Sequence, residues 1–476
     1  MAWFIEALVH FGFVIGLGYY FILAMQWYGY RLERVLFHFN RYDWHLYFFL
    51  LPLLAYYFLE GFFLYGACGL YLFALFLWNR KNDKKLVLTA RIKRFFLFLA
   101  LATLFQNLLC VGSCFKFGVI IPLAIAQLFS MFFEKMLFLS YQKEAEKKLA
   151  QRPSMKVIAI TASYGKTSIK NFLASILSKE FKVYHTPRSV NTLAGIVKDI
   201  NNDLPDTCDI YIVEAGARMQ GDIDEIARCI NPHIAVVGRI GEQHIEYFKT
   251  LENIRNTKME MIHSNRLQKA FVHESTQIKE TPTILSFGSE IKEVKASLDG
   301  ITFTMLLEGK EEHFSASLLG DFNAINLAAC VHVARELGMS IEAIQEAMRE
   351  IKGVEHRLQK IEAGGKIIID DSFNGNLEGM LSSYELVSHY EGRKVIVTPG
   401  IVESTEEANK CLAEKIDAIF DVVIITGKSN MPILDLHVKR AQKILLSDKS
   451  ELQALLAEQT YTGDLILFSN DAPRFI

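Results

Sequence analysis

Four long apolar runs occupy the first 141 residues of this 476-residue chain. A helix needs about 20 consecutive apolar residues to cross a bilayer. The run 44–78 is long enough for two such helices, and Glu60-Gly61 interrupts it near its middle, so we interpret it as two spans joined by a turn. The pattern therefore predicts a helical transmembrane region of about five spans over residues 1–141. The apolar runs are 3–25, 44–78, 95–111 and 117–133.

After a polar helical linker at 142–152, short β-branched runs alternate with helical patterns, as in a parallel α/β sheet. The turn pairs Asp299-Gly300 and Glu308-Gly309 predict a small antiparallel patch over 271–318, and a helical stretch follows at 324–351. Together these elements define a first α/β domain, residues 153–352. Its other predicted elements are strands at 155–160, 209–213 and 233–240 and helices at 166–179 and 250–263.

A second alternation of strands and helices begins near Gly353 and defines a second α/β domain, residues 353–476. Its strands are predicted at 366–369, 394–397, 421–426, 443–446 and 464–468. The fold class is therefore multi-domain. An N-terminal transmembrane region precedes two α/β domains that have a cleft between them.

The charges of the loops indicate how the spans are oriented, because Lys and Arg favour the cytoplasmic side of a membrane. Five spans place the basic segments 26–43, 79–94 and 142–152 all inside, with the amino terminus outside. The first run lacks the basic n-region and A-x-A site of a cleaved signal peptide. Acidic residues within the spans are few, which favours a membrane anchor over a transporter.

The remaining composition excludes some classes of function. The formal net charge is −2, and no basic domain stands outside the loops that flank the spans, which argues against nucleic-acid binding. The seven cysteines form no CxxC pair, and Cys110 and Cys114 lie in an apolar stretch without further ligands. We therefore expect reduced thiols and no zinc site.

The strongest local motif is the segment from Ile160 to Ser168, Ile-Thr-Ala-Ser-Tyr-Gly-Lys-Thr-Ser, which follows a strand and opens a helix. Backbone N–H groups at such a helix N-terminus bind phosphate, a lysine such as Lys166 reaches the β- and γ-phosphates, and a hydroxyl such as that of Thr167 can bind Mg²⁺. A full Walker A motif requires Gly where Ile160 stands. For this segment taken alone, an ordinary strand–helix turn remains the alternative.

Four further blocks follow in a set order, and with the first they resemble the Mur ligase family over about residues 153–403. Ala162 replaces the first Gly of that family's phosphate loop. The other blocks are Glu214-Ala-Gly-Ala-Arg218 with Gly221 and Ile223, Ile240-Gly-Glu-Gln-His244-Ile-Glu246 through to Lys258, Gly320-Asp-Phe-Asn323-Ala-Ile-Asn326, and Arg357 followed by Asp370-Asp371-Ser372-Phe373-Asn374-Gly375-Asn376.

The resemblance implies a P-loop-like ATPase domain, a Rossmann-like C-terminal domain, and ATP with two Mg²⁺ ions as cofactors. It implies that Lys166, Lys258 and His244 are catalytic and that Lys258 is carbamylated, which makes it an anion that can bind metal. Helix capping remains an alternative for Asn323, and a structural ion pair remains one for Arg218. The nucleotide-binding residues would be Thr161, Ser163, Gly165, Lys166, Thr167, Ser168, Asn323, Asn326, Arg357 and Asp371. The metal-binding residues would be Thr167, Glu214, His244 and Lys258.

Within the family, the blocks at Glu214 and Asp370 look most like the branch that adds D-alanyl-D-alanine to UDP-N-acetylmuramoyl-tripeptide through an acyl phosphate. This implies a peptidoglycan-precursor ligase in a bacterial inner membrane, with cytoplasmic catalytic domains, a periplasmic amino terminus and cell-wall synthesis proteins as partners of its spans. Leu377 replaces a usual Pro, and Val402-Glu-Ser404 lacks a usual Leu-Gly. The family's uridine-nucleotide domain has no counterpart. Two alternatives therefore stay open: a Mur-like ligase or amidating enzyme with a lipid-linked or other acceptor, and a non-catalytic membrane scaffold.

Overall fold

The structure is a computed structural model that describes residues 2–30, 32–37, 42–82, 84–109, 118–188, 190–243, 245–373, 375–401, 404–427 and 429–470. The side chains of Ala2, Glu33, Arg34, Phe37 and Glu246 are outside this description. Several of the predicted features also lie outside the described residues: His244, Asn374, Val402-Glu403 and the Cys110/Cys114 pair. The chain divides into two compact units, Met1–Tyr141 and Gln142–Ile476.

The first unit is helical, and four helices of the described chain are long and apolar enough to cross a membrane: Trp3–Trp27, Gly61–Lys81, Ala90–Leu109 and Ile121–Ala150. They coincide with four of the five predicted spans. The helices of this unit are α1 Ala2–Trp27, α2 Leu32–Phe37, α3 Tyr42–His45, α4 Leu51–Phe58, α5 Gly61–Lys81, α6 Ala90–Leu109 and α7 Ile121–Ala150, which continues past Tyr141.

The remaining predicted span, the first half of the run 44–78, is shorter than the others. Here α3 passes through a π-helical turn, Leu46–Leu50, into α4, and Pro52 lies in the first turn of α4. The helical segment from Tyr42 to Phe58 rises by roughly 25 Å, slightly less than the hydrocarbon thickness of about 30 Å. The count of five spans therefore remains a prediction.

The second unit contains a six-stranded, fully parallel sheet with the strand order β2-β3-β1-β4-β5-β6. The predicted strands β1, β3 and β4 are confirmed, whereas β2 and β6 were not predicted. The strands are β1 Lys156–Thr161, β2 Val183–His185, β3 Ile210–Glu214, β4 Ile234–Val237, β5 Lys269–His273 and β6 Ile284–Phe287. The helices are α8 Lys166–Leu177, α9 Leu193–Asn202, α10 Asp222–Ile230, α11 Ile245–Phe248 and α12 Leu251–Met259, followed by the 3-10 turns Glu260–Ile262 and Glu274–Thr276.

The antiparallel patch predicted for 271–318 is correct only in its second part. β7 Ile291–Ser297, β8 Gly300–Leu307 and β9 Lys310–Ala316 form an antiparallel meander. The segment before them belongs to β5 and β6 of the parallel sheet, because the long connection through Glu274–Thr276 returns the chain to the same edge. Two helices follow, α13 Asn323–Glu336 and α14 Ile341–Arg349, where one helical stretch was predicted.

The C-terminal part forms a second six-stranded sheet, with the order β10-β11-β15-β12-β13-β14, in which β10 is the one antiparallel strand. All five predicted strands are present, and β10 was not predicted. The strands are β10 Gln359–Ala363, β11 Lys366–Asp371, β12 Lys394–Thr398, β13 Val422–Thr426, β14 Gln442–Leu446 and β15 Leu465–Ser469. The helices are α15 Leu377–Ser388, α16 Glu406–Ile419, α17 Met431–His437 and α18 Leu452–Gln459, with a 3-10 turn at Lys449–Glu451.

Candidate active site

The phosphate loop connects the end of β1 to the start of α8 and is held by hydrogen bonds at several points. The Thr161 hydroxyl donates to the Ala215 carbonyl at 2.9 Å, and the Ser163 hydroxyl donates to the Gly241 carbonyl at 2.9 Å. Gly165 has a left-handed backbone (φ +81°), and a Cβ there would collide with the side-chain amide of Asn326. Glycine is therefore required at this position by both conformation and space.

Lys166 is the first residue of α8, and its ammonium group turns back over the loop. Its Nζ donates to the carbonyls of Ala162 at 2.8 Å and Ser163 at 3.0 Å, and to Gln243 Oε1 at 3.1 Å. Burial lowers the pKa of Lys166 to about 8, with Glu214 acting to raise it and Arg357 to lower it. The group is thus mostly charged at neutral pH, and its present partners are neutral oxygens that an anionic phosphate can replace.

Glu214 ends β3, the strand beside β1, so its carboxylate lies at the same edge of the sheet as the phosphate loop. Its Oε1 accepts a hydrogen bond from Asn191 Nδ2 at 3.2 Å, and its Oε2 lies 3.2 Å from Lys170 Nζ without completing a hydrogen bond. Burial alone would raise the pKa of Glu214, but Lys170, Asn191 and Lys166 outweigh it and hold the pKa below its ordinary value. The carboxylate is therefore ionised.

Lys258 lies on α12 and is almost completely buried, with 2% of its surface exposed. Burial and the positive charge of Lys166 lower its pKa well below the ordinary value, although Asp222 and Glu260 act in the opposite direction. Burial of this degree disfavours the charged ammonium form of a lysine. An uncharged amine is nucleophilic, which a bare surface lysine is not.

Asn323 and Asn326 lie at the start of α13, which faces the phosphate loop. Asn323 is not the N-cap, because that position belongs to Phe322; its side chain instead donates to the Leu319 carbonyl at 2.7 Å. Asn326 Nδ2 donates to Asn323 Oδ1 at 2.9 Å. The capping alternative for Asn323 is therefore wrong. Asn323 orients Asn326, whose side chain packs against Gly165 of the phosphate loop.

Arg357 and Asp371 come from the segment around β10 and β11, and Arg357 links this segment electrostatically to the phosphate loop. The Arg357 guanidinium lies over the ring of Phe373, 4.5 Å from its centroid, and its charge acts on Lys166. Burial raises the pKa of Asp371 to about 6, although Arg357 opposes the shift. Arg188 also lies over Phe373, at 5.3 Å. Stacking on an aromatic ring orients a guanidinium while leaving its N–H groups available.

The backbone that carries Arg357 is strained on both sides. His356 and Leu358 have φ values of +60° and +50°, a conformation that non-glycine residues rarely adopt. His356 Nδ1 contacts the buried Asp370 carboxylate at 2.6 Å, and the Ser372 hydroxyl donates to the same carboxylate at 2.5 Å. This network holds the strained segment, and strain of this kind persists where the surrounding structure dictates it.

The structure brings together most of the predicted site residues. Thr167 and Ser168 lie in the first turn of α8, next to Lys166. Arg218 does not join them: its side chain is exposed, and within the described residues it does not form the ion pair considered for it. His244 lies outside the described residues, although Gln243 beside it reaches Lys166.

A magnesium ion fits the carboxylate of Glu214. The described residues contain no group of three His, Cys, Asp or Glu side chains that could form a complete metal cage. Mg²⁺, however, is commonly bound by one or two carboxylates together with substrate phosphates and water. A buried, ionised Glu214 with an Oε2 that accepts no hydrogen bond has the chemistry for this role.

Three contributions to the site were not predicted: those of Lys170 and Asn191, and that of Phe373 as the ring over which Arg357 and Arg188 lie. Lys170 carried a usable signal, because it falls on the apolar face of α8 among Ile169, Phe172 and Leu173. A lysine in such a stripe needs a buried partner. The sequence offered no comparable signal for Asn191, which reaches Glu214 from a loop.

Comparison with known proteins agrees with this geometry. Residues 160–334 match the model of the Mur ligase middle domain. The UDP-N-acetylmuramoyl-tripeptide--D-alanyl-D-alanine ligase of Bacillus subtilis (strain 168) is 28% identical over 353 residues, which cover 68% of this chain and 75% of that protein. The ligase of the same name from Escherichia coli (strain K12) is 24% identical over 303 residues, 60% of this chain and 67% of that protein.

Solved structures give the same result. The MurF ligase of Thermotoga maritima in complex with ADP aligns with a TM-score of 0.60 and 25% identity, over 70% of this chain and 80% of that one. The D-alanyl-D-alanyl ligase of Acinetobacter baumannii aligns with a TM-score of 0.64 and 25% identity, over 70% and 76% of the two chains. Residues 160–334, which include the phosphate loop, Glu214 and Lys258, thus form a Mur ligase middle domain.

Proposed function

We propose that this protein joins D-alanyl-D-alanine to UDP-N-acetylmuramoyl-tripeptide at the expense of ATP, in the synthesis of peptidoglycan precursors. The observation that carries the proposal is the convergence of Lys166, Glu214, Lys258 and Arg357 around one phosphate loop. The similarity to ligases with this activity supports the choice of substrates. A scaffold that had lost its chemistry would have no need of these buried charges.

The reaction proceeds in two steps. The terminal carboxylate of the tripeptide attacks the γ-phosphorus of ATP, and ADP leaves with the electron pair of the broken P–O bond, which gives an acyl phosphate. The amino group of D-alanyl-D-alanine then attacks the acyl carbon, inorganic phosphate leaves with the electron pair of the broken C–O bond, and the nitrogen releases one proton to solvent as the amide forms. Lys166 and Arg357 stabilise negative charge on the phosphoryl group as it transfers. The Asp371 carboxylate would bind the ribose hydroxyls, and Asn323 and Asn326 would contact the adenine.

Thr167 and Glu214 would hold one Mg²⁺, which neutralises charge on the nucleotide phosphates when it is bound. His244 and Lys258 would hold a second ion. Lys258 can do so only after a change of charge, because an ammonium repels a metal ion. Its uncharged amine attacks CO₂, a proton is released, and the carbamate that forms carries a negative charge.

The first unit is proposed to anchor the ligase in the bacterial inner membrane, where its spans can contact cell-wall synthesis proteins. The match to the family model begins at residue 160, and long apolar helices precede it. These apolar helices are the observation that supports a second candidate acceptor beside the proposed UDP-linked one: a muramyl peptide linked to lipid at the membrane surface. Both acceptors present the same carboxylate to the phosphate loop, so the reaction is the same.

The broken helical segment Tyr42–Phe58 is proposed to cross the membrane despite its length. Leu46, Leu50, Leu54 and Phe58, spaced four residues apart, are all exposed and form one apolar stripe suited to lipid. Five crossings place the arginine-bearing segment 26–43 inside with the other basic segments. Four crossings would place the amino terminus inside and this segment outside, while residues 79–94 would be inside in both cases.

The substrate assignment predicts which acceptor supports turnover. Purified full-length protein with ATP, Mg²⁺ and D-alanyl-D-alanine should release phosphate and form the pentapeptide with UDP-N-acetylmuramoyl-tripeptide. The control omits the dipeptide and should give no pentapeptide. Turnover with a lipid-linked tripeptide alone would replace the proposed acceptor, and absence of amide product with either acceptor would contradict ligase function.

Lys166→Ala should reduce ATP turnover by on the order of a hundredfold or more, because transition-state charge loses a preorganised partner. The fold should persist, since the hydrogen bonds of Lys166 to described residues go to loop carbonyls and Gln243 and not to the hydrophobic core. Phosphate release and the thermal midpoint are measured together. Lys198→Ala, an exposed lysine of α9, is the matched control. Turnover like wild type in Lys166→Ala would show that the loop does not bind the reacting phosphates.

Lys258→Ala should lose most ligation activity and recover part of it when formate or acetate is added, because a small carboxylate can replace the missing carbamate. The recovery should be incomplete, since a free ion is poorly oriented. Lys166→Ala provides the control, because added carboxylate should not rescue it. If Lys258→Arg is active while carboxylates never rescue Lys258→Ala, then Lys258 acts as a cation and the carbamate assignment is wrong.

The membrane topology predicts that a cysteine at Leu36 is protected from a membrane-impermeant thiol reagent in intact cells. Leu36 is exposed, so protection would reflect the membrane and not burial in the protein. A cysteine at the exposed Leu88 should be protected under both topologies, and both should react after permeabilisation. The parent chain without an added cysteine gives the background. Labelling at position 36 in intact cells would support four crossings instead of five.

A further inference from the structure

Lys170 is buried one helical turn beyond Lys166, with 1% of its side chain exposed. Its Nζ donates to the Thr186 carbonyl at 2.9 Å and lies 3.2 Å from Glu214 Oε2. Charged groups are rarely buried this completely, because each must be compensated by close partners. Lys170 therefore has a partner in the very carboxylate proposed to bind Mg²⁺.

The surrounding hydrogen bonds hold this pair in place. The Glu214 backbone N–H donates to the Thr186 hydroxyl at 3.1 Å, and the Thr186 N–H donates to the Ile212 carbonyl at 3.0 Å. Lys170, Thr186 and Glu214 thus form a closed set of contacts between α8 and β3. The Lys170 ammonium contacts the Thr186 carbonyl and the Glu214 carboxylate, whereas the Lys166 ammonium contacts carbonyls of the phosphate loop.

The charges near Glu214 disfavour a free divalent cation. Lys166, Lys170 and Arg357 are positively charged groups at the site, and Lys166 and Lys170 both act directly on the Glu214 carboxylate. A metal ion that approaches Glu214 without nucleotide meets repulsion at short range in a poorly solvated site. The phosphates of ATP reverse the sign of the local charge, so the same carboxylate can then bind the ion.

We propose that Lys170 is a positioning residue that makes metal binding at Glu214 conditional on nucleotide. While the site is empty, Lys170 neutralises Glu214 and fixes the orientation of its carboxylate. When the nucleotide arrives with its metal ion, the phosphates supply the negative charge that offsets Lys170. This inference rests on the proposed role of Glu214 as a Mg²⁺ ligand.

Removal of the Lys170 charge should convert Glu214 into an ordinary cation site. Lys170→Gln keeps a hydrogen-bond donor beside Thr186 but leaves the Glu214 carboxylate uncompensated. Affinity for Mn²⁺ in the absence of nucleotide should rise by on the order of tenfold or more. The double variant Lys170→Gln/Glu214→Gln should lose this added binding, because it no longer has the carboxylate.

Equilibrium dialysis of the full-length protein against Mn²⁺, with and without ATP, tests the proposal. Wild type should retain Mn²⁺ only with ATP, and Lys170→Gln should retain it under both conditions. Lys179→Gln, which removes the same charge just beyond the far end of α8, is the matched control and should behave like wild type. Thermal midpoints are recorded for each variant, so that a loss of fold is recognised.

Mn²⁺ retention by wild type without nucleotide that is lost in a folded Glu214→Gln protein would overturn the proposal. A folded Lys170→Gln protein that is less stable but gains no nucleotide-free retention would also overturn it, because Lys170 would then serve the fold alone. Failure of the proposed metal site has a different signature: Glu214→Gln would leave the retention with ATP unchanged.

Discussion

The burial of the Glu214 carboxylate at the end of β3 constrains the whole site. A carboxylate in this position is tolerable only with compensating charge, and Lys170 supplies that charge from α8, the same helix that presents Lys166 to the phosphate loop. The register Ile160↔Glu214 then fixes the distance between loop and carboxylate. The positions of the phosphate loop, the helix and the acidic group are thus determined together.

Much of the fold followed from periodicity in the sequence. Strands such as β1, β12 and β13 are buried apolar runs between helical patterns, and such runs indicate strands reliably. β2 has three partly exposed residues at an edge of its sheet, and β6 is also an edge strand, so neither gives a run that can be distinguished from a loop. The break in the helix before Pro52 has no counterpart in hydropathy, because every residue around it is apolar.

The site was less predictable than the fold. Motif order located Lys166, Glu214, Lys258 and Arg357, but a motif does not say which charges face one another. From the sequence alone, Lys170 is interpreted as a solvent-exposed lysine unless one notes that its neighbours on the same face of α8 are apolar. Asn323 occupies a sequence position typical of an N-cap, yet its side chain turns back to Leu319, because the helix begins at Asn323 itself, one residue earlier than capping by Asn323 would require. Such choices depend on tertiary contacts that single-sequence patterns do not contain.

The electrostatics of the empty site explain why Lys166 and Lys258, which both stand near the phosphate loop, behave differently. Lys166 retains its charge because the loop carbonyls and Gln243 solvate it, even though burial lowers its pKa to about 8. Lys258 is buried and has the charge of Lys166 nearby. Its acidic neighbours already accept other hydrogen bonds: Asp222 from the Arg218 backbone N–H, and Glu260 from the Gly221 backbone N–H. Protonation of Lys258 would add a second cation beside Lys166 at high cost. The surroundings therefore leave Lys166 mostly charged and disfavour the charged form of Lys258, and the difference arises from the groups that surround each ammonium.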